Sequence, residues 1–136
     1  MNPHYNQNYT KLQIEKVLNT IKECILNGNY SVSQNENRAE NIQFIQGYNL
    51  TAAKQREVLL GIKVEDFCYS LQNTHQGYEH ETLYVFIPAV ELLDPFGLET
   101  VIEVYTKFNI IDTQMKTRTI VISFHKANEP ATYTFQ

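Results

Sequence analysis

The sequence predicts an α+β fold in which helices from the first half pack on one face of a three- to four-stranded antiparallel sheet from the second half. Apolar residues recur at helical spacing before about residue 71, whereas beyond residue 80 they alternate with a period of two. The later segments are rich in β-branched and aromatic residues, and short connections between them favour antiparallel neighbours. A chain of 136 residues has room for one domain, which we expect over residues 10–136, with its helical part at 10–71 and its sheet and tail at 80–136.

The first helix is predicted directly after a polar, Asn-rich segment, residues 1–9, which we expect to be a short disordered lead-in. Thr10 and Gln13 have the spacing of a capping box, in which each side chain binds the other residue's amide. Apolar residues behind them form one stripe, and Gly28 marks the end of the helix because glycine tolerates the left-handed conformation.

Two further helices are predicted before residue 62. Residues 33–36 form a second capping box, and Gly47 is expected to end the helix that follows. Thr51 is expected to cap a third helix that ends at Gly61. Residues 62–71 are expected to hold one more helical turn.

Three strands are predicted in the second half, at residues 82–89, 98–109 and 119–125. The sequence Asp-Pro-Phe-Gly at 94–97 indicates a turn, and residues 72–80 are predicted to be a loop. Alternation assigns one face to the helices, with Leu83, Val85, Ile87, Leu98, Thr100, Ile102, Val104, Phe108, Ile120, Ile122 and Phe124. The opposite face is then expected to carry Tyr84, Phe86, Glu103, Tyr105, Lys107, Ser123 and His125.

The charges are unevenly distributed along the chain. The net charge of −4 argues against a broad phosphate-binding surface. Residues 64–106 hold eight carboxylates and no Lys or Arg, so the remainder of the chain carries a balance of +4. The acidic segment is either a solvated face or a functional surface, which would bind a basic protein partner or repel nucleic acid.

The chain is expected to be cytoplasmic and to have no contact with a membrane. No apolar run approaches the ~20 residues that span a bilayer, and the N-terminus lacks the features of a secretory signal. Cys24 falls in a helical segment and is expected to be a small buried side chain. Cys68, His75 and His80 are ligand types that suit zinc, but their spacing matches no standard pattern, so we expect no metal site and no cofactor.

Two groups of residues could form a catalytic or binding site. Glu103 and His125 would share one face if their strands are adjacent, and the carboxylate would then fix the imidazole tautomer for acid–base catalysis. The alternative is a histidine at a strand end beside an exposed acid. Basic residues near tyrosines could hold phosphates and stack bases, or could be solubilising charges at strand ends. This second set comprises Arg38, Tyr84, Tyr105, Lys107, Lys116, Arg118 and Lys126.

Several residue runs, in this order, resemble the MqsR-like toxins of type II toxin–antitoxin systems, especially their Gram-positive and phage-borne branch. The similar runs are NRAENIQFIQGYNL with Arg38 and Asn41, EVLLGIKVEDFCYS, the pair Tyr84 and Phe86, and IVISFHKANEPATYTF. The resemblance extends from about residue 30 to the C-terminus. The chain departs from the family pattern at Glu103, where a lysine is expected, at Val85, where one branch has Gln, and at residues 68–70, where a Gly-Pro is missing.

The resemblance implies a RelE-type fold and a small endoribonuclease that cuts mRNA, free or on the ribosome, without a metal. A cognate antitoxin would hold it inactive. It implies that His125 is the acid or base, that Arg38 contacts the phosphate and that Tyr133 is structural. The competing hypothesis is a non-catalytic binding or inhibitor protein on a toxin-like fold, encoded by a phage or mobile element, that captures a basic protein through the acidic 64–106 surface.

Overall fold

The computed structural model describes residues 5–34 and 38–135 and has an α+β fold with three helices and a mixed sheet of six strands. No helix within these residues is long and apolar enough to cross a membrane. The elements in chain order are α1 (Lys11–Leu26), β1 (Tyr30–Val32), α2 (Ala39–Gly47), α3 (Ala52–Leu60), a short 3₁₀ helix (Val64–Asp66), β2 (Phe67–Gln72), β3 (Thr82–Phe86), β4 (Ala89–Leu93), β5 (Glu99–Asp112) and β6 (Thr117–Lys126).

The caps of α1 and α3 are confirmed. The Thr10 hydroxyl accepts the Gln13 N–H at 3.1 Å, and the Gln13 side chain accepts the Thr10 N–H at 2.8 Å. The Thr51 hydroxyl accepts the Lys54 N–H at 3.1 Å. The capping box predicted for α2 includes residues 35–36, which lie outside the described residues, and α2 itself begins at Ala39.

The sheet is larger than predicted and is not purely antiparallel. Its order is β1-β6-β5-β3-β2, and β4 pairs with the first half of β5. β1 runs parallel to β6, while the other pairs are antiparallel. The sequence failed to predict β2 because Phe67, Cys68, Tyr69 and Ser70 are all buried, so the segment shows no alternation.

The helices pack against one face of the sheet. Buried side chains from all three helices form a single cluster with sheet residues that include Phe86, Val104, Phe108, Val121 and Phe124. A smaller cluster on the opposite face contains Cys68, Tyr69, Val85 and Ile87. β2 and β3 therefore bury side chains on both faces of the sheet.

The predicted faces of β3 were wrong. Tyr84 pairs with Phe108, and Phe86 pairs with Thr106, so both side chains face the helices. Val85 and Ile87 belong to the smaller cluster on the opposite face. Alternation could not decide the orientation because apolar side chains occupy both faces of this strand.

The predicted face of the middle of β6 was also wrong. The register between β5 and β6 shifts so that Lys107 pairs with Ser123 while Phe108 pairs with Val121. The extra residue in the bulge is Ile122. Val121, and not Ile120 or Ile122, therefore enters the helix-side cluster together with Phe124.

Both chain ends cover the sheet face opposite the helices. Tyr5 stacks on Tyr69 with ring centroids 3.8 Å apart, and Asn6 forms a bridge with Ser70. Residues 5–9, predicted to belong to a disordered lead-in, are thus held against the sheet, while residues 1–4 lie outside the described residues. In the tail, the Tyr133 hydroxyl donates to the Ile87 carbonyl at 2.8 Å, which supports its expected structural role.

Candidate functional site

A cleft of about 580 Å³ lies on the sheet face opposite the helices. Its floor includes two cross-strand pairs, Tyr105 with His125 and Lys107 with Ser123. Directly paired residues of antiparallel strands project from the same face, so these four side chains point to one side. The remaining walls are formed by Tyr5, Arg38, Glu40, Tyr69, Ile87 and the tail residues Asn128, Glu129, Pro130, Ala131 and Thr132.

Asn41, a residue that is 1% exposed, anchors the start of α2 beside the cleft. Its amide nitrogen donates to the carbonyls of Ser33 and Ile122, both at 2.9 Å, and its oxygen accepts the Phe124 N–H at 2.8 Å. β1 pairs with β6 only as far as Val121. The Asn41 amide continues that pairing along β6, which places Arg38 and Glu40 beside the cleft.

Arg38 and Lys107 supply the positive charge of the cleft. Burial lowers the pKa of the Lys107 ammonium from its usual value, and the nearby Arg38 charge lowers it further. The two cations repel each other, so a bound anionic group that contacts both would be stabilised. The arrangement is suited to bind a phosphate.

His125 is oriented by its neighbours. Its ring stacks on Tyr105, with centroids 5.3 Å apart and planes 15° from parallel. Its Nδ1 lies 2.9 Å from the Lys126 carbonyl oxygen, which can only accept, so Nδ1 carries a proton. In the neutral ring, Nε2 is then the basic nitrogen.

The carboxylate beside His125 is Glu40. The Glu40 Oε2 lies 3.6 Å from His125 Nδ1 and accepts a hydrogen bond from Asn128 at 2.9 Å. Both groups belong to the cleft walls.

Two phenols lie next to this group. The Tyr69 and Tyr105 hydroxyls are 3.1 Å apart. Burial raises the pKa of Tyr105, and burial together with the hydrogen bond to Tyr105 raises the pKa of Tyr69. Both hydroxyls therefore stay protonated at neutral pH and can act as hydrogen-bond donors.

The structure brings four of the predicted site residues together: Arg38, Tyr105, Lys107 and His125 all line the cleft. Tyr84 does not, because it faces the helices, with its ring 6.3 Å from that of Tyr9. Lys126 is exposed and contributes its backbone carbonyl, but not its side chain, to the surroundings of His125.

Glu103 does not line the cleft, and the predicted pairing of Glu103 with His125 is replaced by that of Glu40 with His125. The register places Tyr105, and not Glu103, opposite His125. Glu103 instead lies near Tyr133: burial, with a further contribution from the Glu103 charge, raises the pKa of that phenol to about 12.

The sequence-based prediction missed Glu40, Tyr69 and Tyr5. Tyr69 lies within residues 62–71, where one helical turn was expected; the structure has a short 3₁₀ helix at Val64–Asp66, and Tyr69 belongs to the strand that follows it. The run of apolar and aromatic residues in this strand is also typical of a fully buried strand. Glu40 lies two residues after Arg38, but nothing in the sequence shows that α2 approaches β6. Tyr5 was assigned to the disordered lead-in.

The residues considered for zinc lie in different surroundings. Cys68 is buried in the smaller cluster, whereas His75 and His80 are exposed on the β2–β3 loop. Within residues 5–34 and 38–135, no group of three His, Cys, Asp or Glu side chains is placed to hold a metal ion. Both cysteines are free and buried.

Comparison with known proteins assigns no family to this chain. No protein-family model matches the sequence, and no curated protein is significantly similar to it.

Proposed function

We propose that this chain is a cytoplasmic ribonuclease that cleaves mRNA without a metal ion, as the toxin of a type II toxin–antitoxin system. The observation that supports the proposal is the gathering of Arg38, Lys107 and His125 in one cleft. Arg38 immediately precedes α2, whereas Lys107 belongs to β5 and His125 to β6, and together they supply two cations for a phosphate and an imidazole for proton transfer.

The scissile phosphate would bind between Arg38 and Lys107. The guanidinium offers a planar fork of donors that matches two phosphate oxygens, and the ammonium adds a point charge. As the pentacovalent phosphorane forms, charge accumulates on its equatorial oxygens, and fixed cations in a partly buried site stabilise that charge more than bulk water does.

His125 would act on the ribose adjacent to that phosphate. Its Nε2 removes the proton of the 2′-hydroxyl, the 2′-oxygen attacks phosphorus, and the bond from phosphorus to the 5′-oxygen breaks. A solvent water supplies the proton of the departing 5′-oxygen, the imidazolium afterwards returns its proton to solvent, and the products are a 2′,3′-cyclic phosphate and a 5′-hydroxyl. Glu40 stabilises the imidazolium formed in the first step.

Tyr105 is the proposed hydrogen-bond donor to the phosphate or to the leaving oxygen. Its raised pKa keeps the phenol protonated, and its ring fixes the His125 plane by stacking. When Tyr69 donates to the Tyr105 oxygen, the Tyr105 proton is free for the substrate. The pair of phenols thus extends the donor set of the cleft without adding charge.

The proposal extends to a RelE-type fold and to inhibition by a cognate antitoxin, which the residue runs shared with MqsR-like toxins support. The chain departs from the family pattern at Glu103, which is not among the residues that line the cleft and lies near Tyr133.

The test is cleavage of a short single-stranded RNA by the purified protein in the presence of EDTA. We expect the wild type to release a 2′,3′-cyclic phosphate, and a 2′-deoxy substitution at the cut site to block the reaction. His125→Ala should lower the rate about 100-fold or more, since general acid–base catalysis contributes about 10²–10⁴-fold. His75→Ala is the matched control, because His75 lies exposed on a loop away from the cleft, and should cleave like the wild type.

Induced expression in a bacterial host provides the second readout. The wild type should arrest growth with loss of intact mRNA, and His125→Ala should not. A folded wild-type protein that leaves RNA intact in both assays would overturn the ribonuclease proposal and leave the binding-protein hypothesis.

A further inference from the structure

The hairpin of β4 and β5 extends past the region where β5 pairs with the rest of the sheet. β3 pairs with β5 from Thr106 to Asn109, and β6 pairs with it from Val104 to Asp112. Among the described residues, the segment from Glu99 to Glu103 is strand-paired with β4 alone. The result is a two-stranded ribbon with its own inner and outer faces.

The two faces of this ribbon differ in burial. Leu92 and Ile102 belong to the helix-side cluster, and Val90 packs against it. The outer face is exposed, with Leu93 at 59% and Val101 at 61%, and the turn adds Phe96 at 88%. An apolar patch of this kind, bordered by charged side chains, is typical of an interaction surface.

The outer edge of β4 is free to pair. The Val104 N–H donates to the Pro88 carbonyl at 2.9 Å, so these two residues form a hydrogen-bonded pair, and every second pair along the hairpin is hydrogen-bonded in the same way. In that pattern, the N–H and C=O groups of Glu91 and Leu93 point away from β5. No backbone partner for them occurs within residues 5–34 and 38–135. A groove of about 500 Å³ lies beside the strand, with Val58 and Gly61 among the residues of its α3 side.

The charged side chains near the free edge of β4 indicate which kind of partner could bind there. The outer face carries Glu91, Glu99 and Glu103, and residues 64–106 contain no Lys or Arg to neutralise them. Lys54 and Lys63 lie on the opposite wall of the groove together with Glu57 and Asp66, and Lys54 is paired with Glu57 at 3.3 Å. A second copy of the chain would bring carboxylates against carboxylates, and RNA would be repelled, whereas a basic polypeptide would be attracted.

We propose that the free edge of β4 binds an extended polypeptide segment in which basic and apolar residues alternate. The segment adds as a strand beside Glu91 and Leu93. Its basic side chains then lie on the outer face near Glu91 and Glu99, and its apolar side chains point toward Val90 and the groove. This interaction surface is separate from the cleft and does not depend on ribonuclease activity.

The probe is a fluorescein-labelled ten-residue peptide of alternating lysine and valine, with binding followed by fluorescence anisotropy. One comparison peptide has the same composition in two blocks, and another carries N-methyl groups on alternate residues, which prevents strand pairing. The alternating peptide should bind at least about tenfold more tightly than either, because only it can form the strand with its lysines on one face.

Two variants and one control locate the site. Leu93→Pro should lower the affinity at least about tenfold, because proline removes an outward N–H while leaving the β4–β5 ladder intact. Glu91→Gln combined with Glu99→Gln should weaken binding and reduce its salt dependence. Glu23→Gln removes an exposed charge on α1 and should change the affinity less than twofold.

Equal binding of all three peptides, or no effect of Leu93→Pro in a protein with a wild-type circular dichroism spectrum, would overturn the proposal. A wild-type dimer that Leu93→Pro converts to a monomer would also overturn it, in favour of a second copy as the occupant. RNA cleavage by Leu93→Pro should equal that of the wild type, so the outcome is independent of the ribonuclease test.

Discussion

At the scale of single residues, the state of His125 depends on one backbone oxygen. The Lys126 carbonyl at 2.9 Å holds the proton on Nδ1, and the Tyr105 ring holds the imidazole plane. The sequence could nominate His125 because imidazole is the side chain suited to proton transfer near neutral pH. It could not give the tautomer, since the tautomer follows from the position of an acceptor.

The pKa of the Cys68 thiol provides a test of burial on the sheet face that carries the cleft. Burial raises the pKa of its thiol from 9.0 to about 12. In the unfolded chain the thiol ionises near its ordinary pKa, so the stability linked to it is complete below about pH 9 and is lost as pH rises toward 12. Between pH 9 and pH 10.5 the loss from this one group is about 2 kcal/mol.

We therefore expect Cys68→Ala to unfold more easily than the wild type at pH 7, because a buried atom is removed, and to lose less stability on raising the pH to 10.5. Urea unfolding at both pH values measures this difference. The tyrosines with raised pKa values are common to both proteins, so the comparison reports the thiol together with its coupling to Tyr105 and Tyr133. An identical pH dependence for the two proteins would contradict the assigned burial of this thiol.

At the scale of elements, the position of α2 depends on the Asn41 side chain, which makes the hydrogen bonds to β6 that the backbone of a neighbouring strand would otherwise make. β1 ends at Val32, and Asn41 then bonds to Ile122 and Phe124 of β6 where another strand residue would have paired. Because Arg38 and Glu40 lie at the start of α2, this contact also sets the geometry of the cleft.

Asn41→Ala should lower the free energy of unfolding by about 2–4 kcal/mol, because it leaves a buried N–H and buried carbonyls without partners. Chemical denaturation measures the change. Gln43→Ala is the control, since Gln43 is an exposed amide on the same helix, and should shift the stability by less than about 0.5 kcal/mol. Equal effects of the two substitutions would show that the Asn41 contacts do not anchor α2.

At the scale of the whole molecule, the charge distribution separates two surfaces. The net charge is −4; the cleft holds the cations Arg38 and Lys107 together with the carboxylates Glu40 and Glu129, while the outer face of the β4–β5 ribbon holds carboxylates without a cation. RNA is therefore expected to bind through few phosphate contacts at the cleft and not along a broad basic surface.

The salt dependence of RNA binding tests this distribution. With two phosphate contacts, the slope of log K against log salt for an uncleavable 2′-O-methyl RNA should be about −1.4, because each contact to a single strand contributes about −0.7. Lys107→Gln should reduce the slope to about −0.7. A wild-type slope several times steeper would indicate a wider basic surface than the cleft provides.

The sequence by itself determined the α+β class, the boundaries of α1 and α3, the turn at residues 94–97 and most of β5 and β6. These features follow from short-range signals, namely helical periodicity, capping side chains, glycine positions and strand alternation. It also nominated Arg38, Tyr105, Lys107 and His125, because their chemical types are readable from the sequence alone.

The tertiary structure determined the features that depend on strand register and on the packing of side chains against both faces of the sheet. It paired His125 with Tyr105 and Glu40 instead of Glu103, turned Tyr84 toward the helices, and folded both chain ends over the sheet. A strand that is buried on both faces shows no alternation of apolar and polar residues, so its orientation cannot be read from the sequence. The one-residue bulge at Ile122 reverses the face that simple alternation would assign to each residue after it. Contacts between residues far apart in the chain therefore decided which of the nominated side chains share the cleft.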